Sequence, residues 1–312
     1  MEEGLGTLVY THTDFAGHVT PPGHPEQVAR LVSVTRAIAR VGLTPVEPPL
    51  AEVSEVLRCH PQAYVDKVTR AIPARGWASL DGDTHLSPGS LTAALRAVGG
   101  MVAAVDAVMA GAATNAFVAG RPPGHHAETA TAMGFCLFGT VAIGAKRLLD
   151  HHGLSRVAIV DFDVHHGNGT QDLLWDEARV LFLSSHQMPL YPGTGAAHER
   201  GALGQIINIP LRSGSGSTAM RAAYEAQVFP ALEAYKPEFI LISAGFDAHE
   251  DDPLAGLNWQ DEDYAWITRR LLDIADTHCC GRVVSTLEGG YDLEALEHSV
   301  AAHLGAMKGR GK

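Results

Sequence analysis

Short apolar runs alternate with longer helical stretches along this chain of 312 residues. The runs are rich in β-branched residues and nearly continuous, whereas a strand with one solvated face alternates in polarity. Continuous runs are typical of strands that are buried on both faces of a parallel sheet. We therefore predict strands at residues 8–10, 116–119, 157–160, 180–183, 206–209, 239–242 and 283–287.

The stretches between these runs have the length and apolar spacing of helices. They cover residues 90–110, 140–150, 217–235, 261–277 and 293–307. Ser217 and Thr218 open the third stretch, as a helix N-cap would. The alternation predicts an α/β fold with a mainly parallel central sheet flanked by helices. Because no repeat or low-complexity linker divides the chain, we expect a single domain over residues 1–312.

Glycine and ionisable residues follow five of the predicted strands. In folds of this class, ligands bind where loops leave the carboxyl ends of the strands. The active site is therefore expected at that edge of the sheet. The segments concerned are GRPPGHH (120–126), DFDVHHGNG (161–169), SSH (184–186), SAGFD (243–247) and EGGY (288–291).

One of these segments has the pattern of a metal site. Asp161, Asp163 and His165 recur at a period of two, so they face one side if the strand continues through them. Buried carboxylates are costly unless a positive charge lies beside them. Asp247, at another strand end, would complete an oxygen, nitrogen and oxygen set with Asp163 and His165. Three ligands with an open position are typical of a catalytic zinc ion.

Histidine is unusually abundant, with 17 residues against 23 for lysine and arginine together. His125 and His126 follow the stiff sequence Arg-Pro-Pro-Gly, and rigid placement suits proton transfer. The pair His151-His152, near a predicted helix end, is interpreted instead as polar loop residues without a function.

Charge, hydropathy and cysteine content limit the binding partners and the cellular location to be expected. The net charge of −12 argues against direct nucleic-acid binding. No continuous apolar run reaches 18 residues, so we expect no membrane span. The four cysteines form no CxxC motif and no signal-peptide core is present, which favours a reducing, cytoplasmic location. The oligomeric state stays open.

A set of motifs runs along the chain from residue 23 to residue 291. The motifs are HPE (24–26), RPPGHHA (121–127), GFC (134–136), DFDVHHGNGTQ (161–171), YPGTG (191–195), SAGFDAHEDDPL (243–254) and EGGY (288–291). Taken together, they resemble the histone deacetylase and acetylpolyamine amidohydrolase family, which has the arginase–deacetylase fold. The HPE and HHGNGTQ forms are similar to the class II branch.

The resemblance implies roles for individual residues. It implies one catalytic Zn²⁺, with ligands Asp163, His165 and Asp247. The implied catalytic residues are the pair His125 and His126, Tyr291 as the hydroxyl that polarises the amide carbonyl, and Asp161 as the residue that orients His125. The implied substrate tunnel is lined by Phe135, Tyr191, Gly134 and Leu254. Arg30 matches an arginine of the family's internal acetate channel. A structural K⁺ is implied at Asp161, Asp163, His165, Ser184 and Ser185, largely through main-chain carbonyls.

Asn168 stands where class I members have an aspartate paired with the second histidine. An amide cannot stabilise an imidazolium as an anion would, so we expect His126 to be neutral and to act as a general base.

The implied function is zinc-dependent removal of acetyl or other acyl groups from lysine side chains of proteins or peptides. An acetylpolyamine deacetylase, acting on a small acetylated amine, is the first alternative. Leu254 stands where polyamine-selective relatives have glutamate, which favours acyl-lysine. The second alternative, a binuclear manganese hydrolase, would draw on Asp161, Asp163, His165, Asp247 and His249. The third is a catalytically silent binder of acyl-lysine proteins.

Overall fold

Eight parallel strands form the central sheet in the part of the chain that the computed structural model describes, residues 6–310. Their order across the sheet is β2-β1-β5-β10-β9-β6-β7-β8, and β3 and β4 form a separate antiparallel hairpin. The strands are β1 Thr7–Tyr10, β2 Pro45–Val46, β3 Ala78–Ser79, β4 His85–Leu86, β5 Asn115–Val118, β6 Val157–Asp161, β7 Val180–Gln187, β8 Ile206–Leu211, β9 Phe239–Ala244 and β10 Val283–Leu287. The predicted α/β fold with a parallel sheet is confirmed.

Helices cover both faces of this sheet. They are α1 Ala29–Arg40, α2 Val53–Val56, α3 Gln62–Ala71, α4 Ser90–Met109, α5 Thr140–Asp150, α6 Asn168–Leu173, α7 Ser217–Ala223, α8 Phe229–Tyr235, α9 Asp261–His278 and α10 Leu293–Lys308. A 3₁₀ turn lies at Thr13–Gly17 and a π-helical turn at Tyr224–Val228. Each predicted helix is present, and four helices were not predicted from the pattern: α1, α2, α3 and α6.

The core has two layers, one on each face of the sheet. On β6, Ala158 and Val160 pack into the layer made with α1, α9 and α10, whereas Val157 and Ile159 pack into the layer made with α4 and α5. Successive side chains of one strand are therefore apolar on both sides, which accounts for the continuous runs. By length and composition α4 is apolar enough to cross a membrane, but its place in this core accounts for its hydropathy.

The expected N-cap at the start of α7 is wrong. The helix follows Gly216 without a side-chain cap, and the Ser217 hydroxyl donates instead to the Asp263 carboxylate of α9, at 2.6 Å. The predicted stretch 217–235 is otherwise continuous, with the π-helical turn between α7 and α8. Pro230 has no amide hydrogen for the preceding turn, and the wider turn lies directly before it.

Candidate active site

Three buried metal donors converge beyond the carboxyl ends of β6 and β9. Donor atoms of Asp163, His165 and Asp247 lie within 4.8 Å of one another, and this is the one such group found among residues 6–310. The His165 Nδ1 lies 3.1 Å from an oxygen of Asp163 and 3.1 Å from an oxygen of Asp247. The structure therefore brings together the oxygen, nitrogen and oxygen set that the sequence indicates.

The route of the chain into this cluster differs from the predicted extended strand. β6 ends at Asp161, whose carboxylate accepts the Asp163 N–H at 3.1 Å, and the Asp163 carboxylate in turn accepts the His165 N–H at 2.9 Å. Each carboxylate thus bonds the backbone two residues later, which bends the chain. Asp161 consequently does not join the cluster, and the prediction that it shares a face with Asp163 and His165 in a continuing strand is wrong.

Two glycines make room for the carboxylates. A Cβ at Gly245 would overlap the side chain of Asp163, and one at Gly289 would overlap that of Asp247. The Gly289 N–H also donates to Asp163 at 2.8 Å. The glycines of the SAGFD and EGG segments are thus explained by close approach of backbone to the metal donors.

The charges of the cluster fit a divalent cation. Burial and the like charge of Asp163 raise the pKa of Asp247 to about 7, although His165 opposes this. Burial lowers the pKa of His165, but Asp163 and Asp247 outweigh it and raise that pKa to about 10. Without a metal, a proton on His165 balances part of the charge of the two carboxylates. A divalent cation bound to the three side chains would take the place of that proton, and Zn²⁺ and Fe²⁺ both accept such donors.

His125 lies between the cluster and Asp161. Its Nδ1 is 3.0 Å from the Asp161 carboxylate, and its Nε2 is 3.7 Å from Asp163. Burial disfavours a charge on this ring, but the carboxylates of Asp163 and Asp161 outweigh burial and hold the His125 pKa well above its usual value. Asp161 is thus placed to fix the ring, as the resemblance implies.

His126 has a different environment. Its Nδ1 lies 2.7 Å from Oδ1 of Asn168, and its ring is buried. Burial and the neighbouring His125 and His165 hold the His126 pKa well below its usual value, so the ring is neutral near pH 7. The amide of Asn168 donates at 2.8 Å to Glu128, a residue that sequence reasoning missed because nothing in its spacing connects it to Asn168.

Because Asn168 contacts Glu128, a test of how Asn168 sets the pKa of His126 must change both residues. Asn168→Asp alone would face the Glu128 carboxylate, and the two would share a proton, so we compare Glu128→Gln with the double variant Asn168→Asp/Glu128→Gln. An anion beside His126 stabilises its imidazolium and raises its pKa. Because the base must be unprotonated, we expect the acidic limb of the pH profile of kcat/KM to move to higher pH, by about one unit. Exposed Asn258→Asp adds the same charge elsewhere and should leave the limb unmoved; an unmoved limb in the double variant contradicts the assignment.

A cavity of about 240 Å³ leads from the surface to His126 and His165. All four predicted tunnel residues line it: Gly134, Phe135, Tyr191 and Leu254. The ring centroid of Phe135 is 5.8 Å from that of Tyr291, and that of Tyr191 is 5.3 Å from that of His126. Tyr191 is 40% exposed, so it stands at the mouth.

Pro25, Asp83 and Leu190 also line the cavity and were not predicted. Asp83 arrives on the β3–β4 hairpin, far from any motif, so its position depends on tertiary structure. Burial and the neighbouring Asp81 raise the pKa of the Asp83 carboxyl.

Tyr291 is held from two sides. Its backbone N–H donates to Asp252 at 2.7 Å, and the other oxygen of Asp252 accepts the Leu254 N–H at 3.0 Å. The Arg30 guanidinium lies 5.0 Å from the Tyr291 ring centroid. Burial holds the Tyr291 pKa well above its usual value, against the opposing charge of Arg30. The phenol therefore stays protonated and can donate a hydrogen bond.

Arg30 is fully buried behind Tyr291, where the resemblance expects an arginine. It donates to the carbonyls of Gly290 and Glu288, both at 2.6 Å, and to Glu26 at 3.0 Å. Arg121 binds the same Glu26 carboxylate through two nitrogens, at 2.5 and 2.6 Å. The role of Arg30 in an acetate channel stays a prediction.

The residues expected at a K⁺ site lie together at the ends of β6 and β7, where Asp161 pairs with Ser184. Their hydroxyls are engaged within the protein: Ser184 with His186 at 3.0 Å, and Ser185 with Tyr224 at 2.7 Å. Because both hydroxyls already have partners, main-chain carbonyls would supply most of the ligands of an ion here, as the resemblance implies. The K⁺ site stays a prediction.

Comparison with known proteins identifies the family. The profile described as the histone deacetylase domain matches residues 24–307. The chain belongs to the histone deacetylase family. The members of this family in the comparisons include deacetylases and an amidohydrolase, so this histone deacetylase homologue is a hydrolytic deacetylase.

Similar histone deacetylase proteins come from distant organisms. A probable deacetylase of Archaeoglobus fulgidus is 38% identical over 97% of this chain and 86% of its own length. The histone deacetylase-like amidohydrolase of Pseudomonas aeruginosa is 38% identical over 88% of this chain and 73% of its own. The crystal structure of the HDA15 HD domain superposes with a TM-score of 0.92 at 32% identity, covering 97% of this chain and 89% of that one.

Proposed function

We propose that this protein is a zinc-dependent deacylase that removes acetyl or other acyl groups from the lysine side-chain amine of proteins or peptides. The observation that carries the proposal is the cavity that reaches His165, a member of the buried cluster with Asp163 and Asp247. An acyl-lysine side chain is long, thin and neutral, and the rings of Phe135 and Tyr191 offer it two apolar walls.

Each residue around the cluster has its own role in the proposed reaction. A Zn²⁺ ion held by Asp163, His165 and Asp247 would supply Lewis-acid polarisation of the acyl oxygen and acidify a water. Neutral His126, with its Nδ1 bonded to Asn168, has Nε2 free to take the proton of the attacking water. His125, whose charged form is favoured by Asp161, is suited to protonate the leaving amine. Tyr291 donates to the oxygen that becomes negative.

An acetylpolyamine is the alternative substrate, and one observation favours it: the Asp83 carboxylate at the cavity mouth would attract a cation. The same carboxylate also suits an amide N–H or a cationic neighbour of acyl-lysine in a peptide. Leu254, on the cavity wall, adds no charge for the free ammonium of a polyamine. These features favour the peptide substrate.

The substrate assignment is tested by kcat/KM on an acetyl-lysine peptide and on N-acetylputrescine, each with and without a chelator. We expect the peptide to be preferred and both activities to need metal. Leu254→Glu should shift the ratio towards N-acetylputrescine by about tenfold, because a carboxylate at the wall pairs with the ammonium. Leu254→Gln, similar in size but neutral, is the control and should shift it little. Preference of the wild type for the polyamine would reverse the assignment.

A binuclear manganese hydrolase and a silent binder of acyl-lysine proteins each predict a different result. The manganese enzyme would give two manganese ions per chain by metal analysis, but His249 faces Asp261 at 3.7 Å and is not part of the donor group. The silent binder would retain zinc and hydrolyse no acyl-lysine peptide.

The four cysteines are free in the structure. Free thiols support our proposal that the protein acts in a reducing compartment, the cytoplasm.

A further inference from the structure

The Glu128 carboxylate is linked to His126 through the side chain of Asn168. Asn168 Oδ1 is 2.7 Å from His126 Nδ1, and Asn168 Nδ2 is 2.8 Å from Glu128 Oε1. The sulfur of Met133 also lies 3.3 Å from Nδ2. The three polar groups thus form a line from the half-buried Glu128 into the buried site.

The chemistry of these groups fixes the direction of the line. An ionised carboxylate and a thioether only accept hydrogen bonds. The side of Asn168 that faces Glu128 and Met133 must therefore be its NH₂ group. Its carbonyl oxygen is then the atom that faces His126. A carbonyl oxygen only accepts, so the His126 Nδ1 must carry a hydrogen and donate it.

A neutral imidazole carries a hydrogen on only one of its two nitrogens. Because Nδ1 has that hydrogen, Nε2 has none and can accept a proton. If the amide of Asn168 turned over, its NH₂ would donate to Nδ1 and the hydrogen would lie on Nε2. The ring would then be neutral but would have no free nitrogen for the substrate water. The turned amide and the observed one have nearly the same shape, so packing alone discriminates weakly between them.

We propose that Glu128 is a positioning residue that selects the tautomer of His126 through the orientation of the Asn168 amide. The inference rests on the proposed role of His126 as general base. It concerns a residue that is neither one of the metal donors nor one of the residues that line the cavity.

The test compares residue 128 in two backgrounds. With Asn168 present, Glu128→Gln permits both amide orientations, and Glu128→Lys, which only donates, imposes the turned one. We expect kcat to fall in the order wild type, Gln, Lys, with a loss of about tenfold or more for Lys and little change in KM. In the Asn168→Asp background only Glu128→Gln and Glu128→Lys are compared, because Glu128 itself would share a proton with the new carboxylate. That carboxylate accepts on every side and needs no orientation, so we expect the two variants to give kcat values within about twofold of each other.

A purely structural role for Glu128 predicts another pattern. Asp172 holds the same loop, because its carboxylate accepts from the N–H and the hydroxyl of Thr129 at 2.8 and 2.7 Å. It lies four residues after Asn168 on α6, and its carboxylate is not among the hydrogen-bond partners of the Asn168 side chain. Asp172→Asn is therefore the matched control, and we expect a lower unfolding temperature with unchanged kcat. An equal loss from Glu128→Lys relative to Glu128→Gln in both backgrounds, or an equal loss from Asp172→Asn, would overturn the proposal.

A readout without turnover separates this inference from the proposed function. In protein labelled with ¹⁵N-histidine, the NMR signals of the ring nitrogens report which nitrogen carries the hydrogen. The signals of His126 are assigned as those that are missing in His126→Gln. We expect the Nδ1–H form in the wild type and the Nε2–H form in Glu128→Lys; the Nδ1–H form in both would refute the proposal. If the wild type hydrolyses no acylated amine, the proposed function fails, and the ring spectra still decide the role of Glu128.

Discussion

Asp247→Asn is expected to abolish deacetylase activity and to strip the protein of its metal. The substitution replaces one of two carboxylates by a weaker neutral donor in a group of three. Removing a residue that only hydrogen-bonds to a metal ligand typically lowers the metal affinity by about 10–100-fold. Removing a ligand itself lowers the affinity further. After both proteins are loaded with Zn²⁺ and dialysed, we expect about one bound Zn²⁺ per chain in the wild type and a small fraction of that in the variant.

Thermal unfolding gives a second measurement that does not need turnover. Metal that binds only the folded protein raises its stability, so added Zn²⁺ should raise the Tm of the metal-free wild type and leave that of Asp247→Asn nearly unchanged. Asp261→Asn removes a carboxylate at the start of α9, outside the cluster, and serves as the control. A variant at Asp247 that keeps one zinc and normal kcat would exclude the residue from the metal site.

Tyr291→Phe is expected to lower kcat on an acetyl-lysine peptide by about 10²–10³-fold, with a small effect on KM. One hydrogen-bond donor to a developing oxyanion typically contributes about 3–4 kcal/mol. The phenol is protonated, because burial holds its pKa well above the usual value, so the donor is present across the working pH range. The backbone bond to Asp252 does not depend on the hydroxyl, so the phenylalanine ring should stay in place.

The control for this variant is Tyr235→Phe. The Tyr235 hydroxyl is buried at the end of α8 and has no hydrogen-bond partner among the described residues, so its removal should leave kcat unchanged. Zinc content should be normal in both variants, which separates loss of a donor from loss of metal. Turnover by Tyr291→Phe close to that of the wild type would remove Tyr291 from the mechanism.

The apolar pattern predicted the sheet because the cause of the pattern is local to each strand. Val157 to Val160 must be apolar throughout, since alternate side chains enter two different core layers. The glycine and ionisable residues after five strands predicted the edge at which the site lies, because parallel strands bring their carboxyl ends to one edge. The cap expected at Ser217 failed because its hydroxyl found a tertiary partner, Asp263.

By itself, the sequence determined the parallel α/β fold, because the apolar pattern of each strand is local. It also indicated Asp163, His165 and Asp247 as a candidate metal-binding group, because they follow strands whose carboxyl ends meet at one edge of the sheet. Only the tertiary structure decided that the chain bends after Asp161, which sends that carboxylate to His125. It alone brought Asp83 to the cavity mouth and Glu128 to Asn168. Such contacts join residues through loops, where neither strand nor helix periodicity relates sequence position to direction in space.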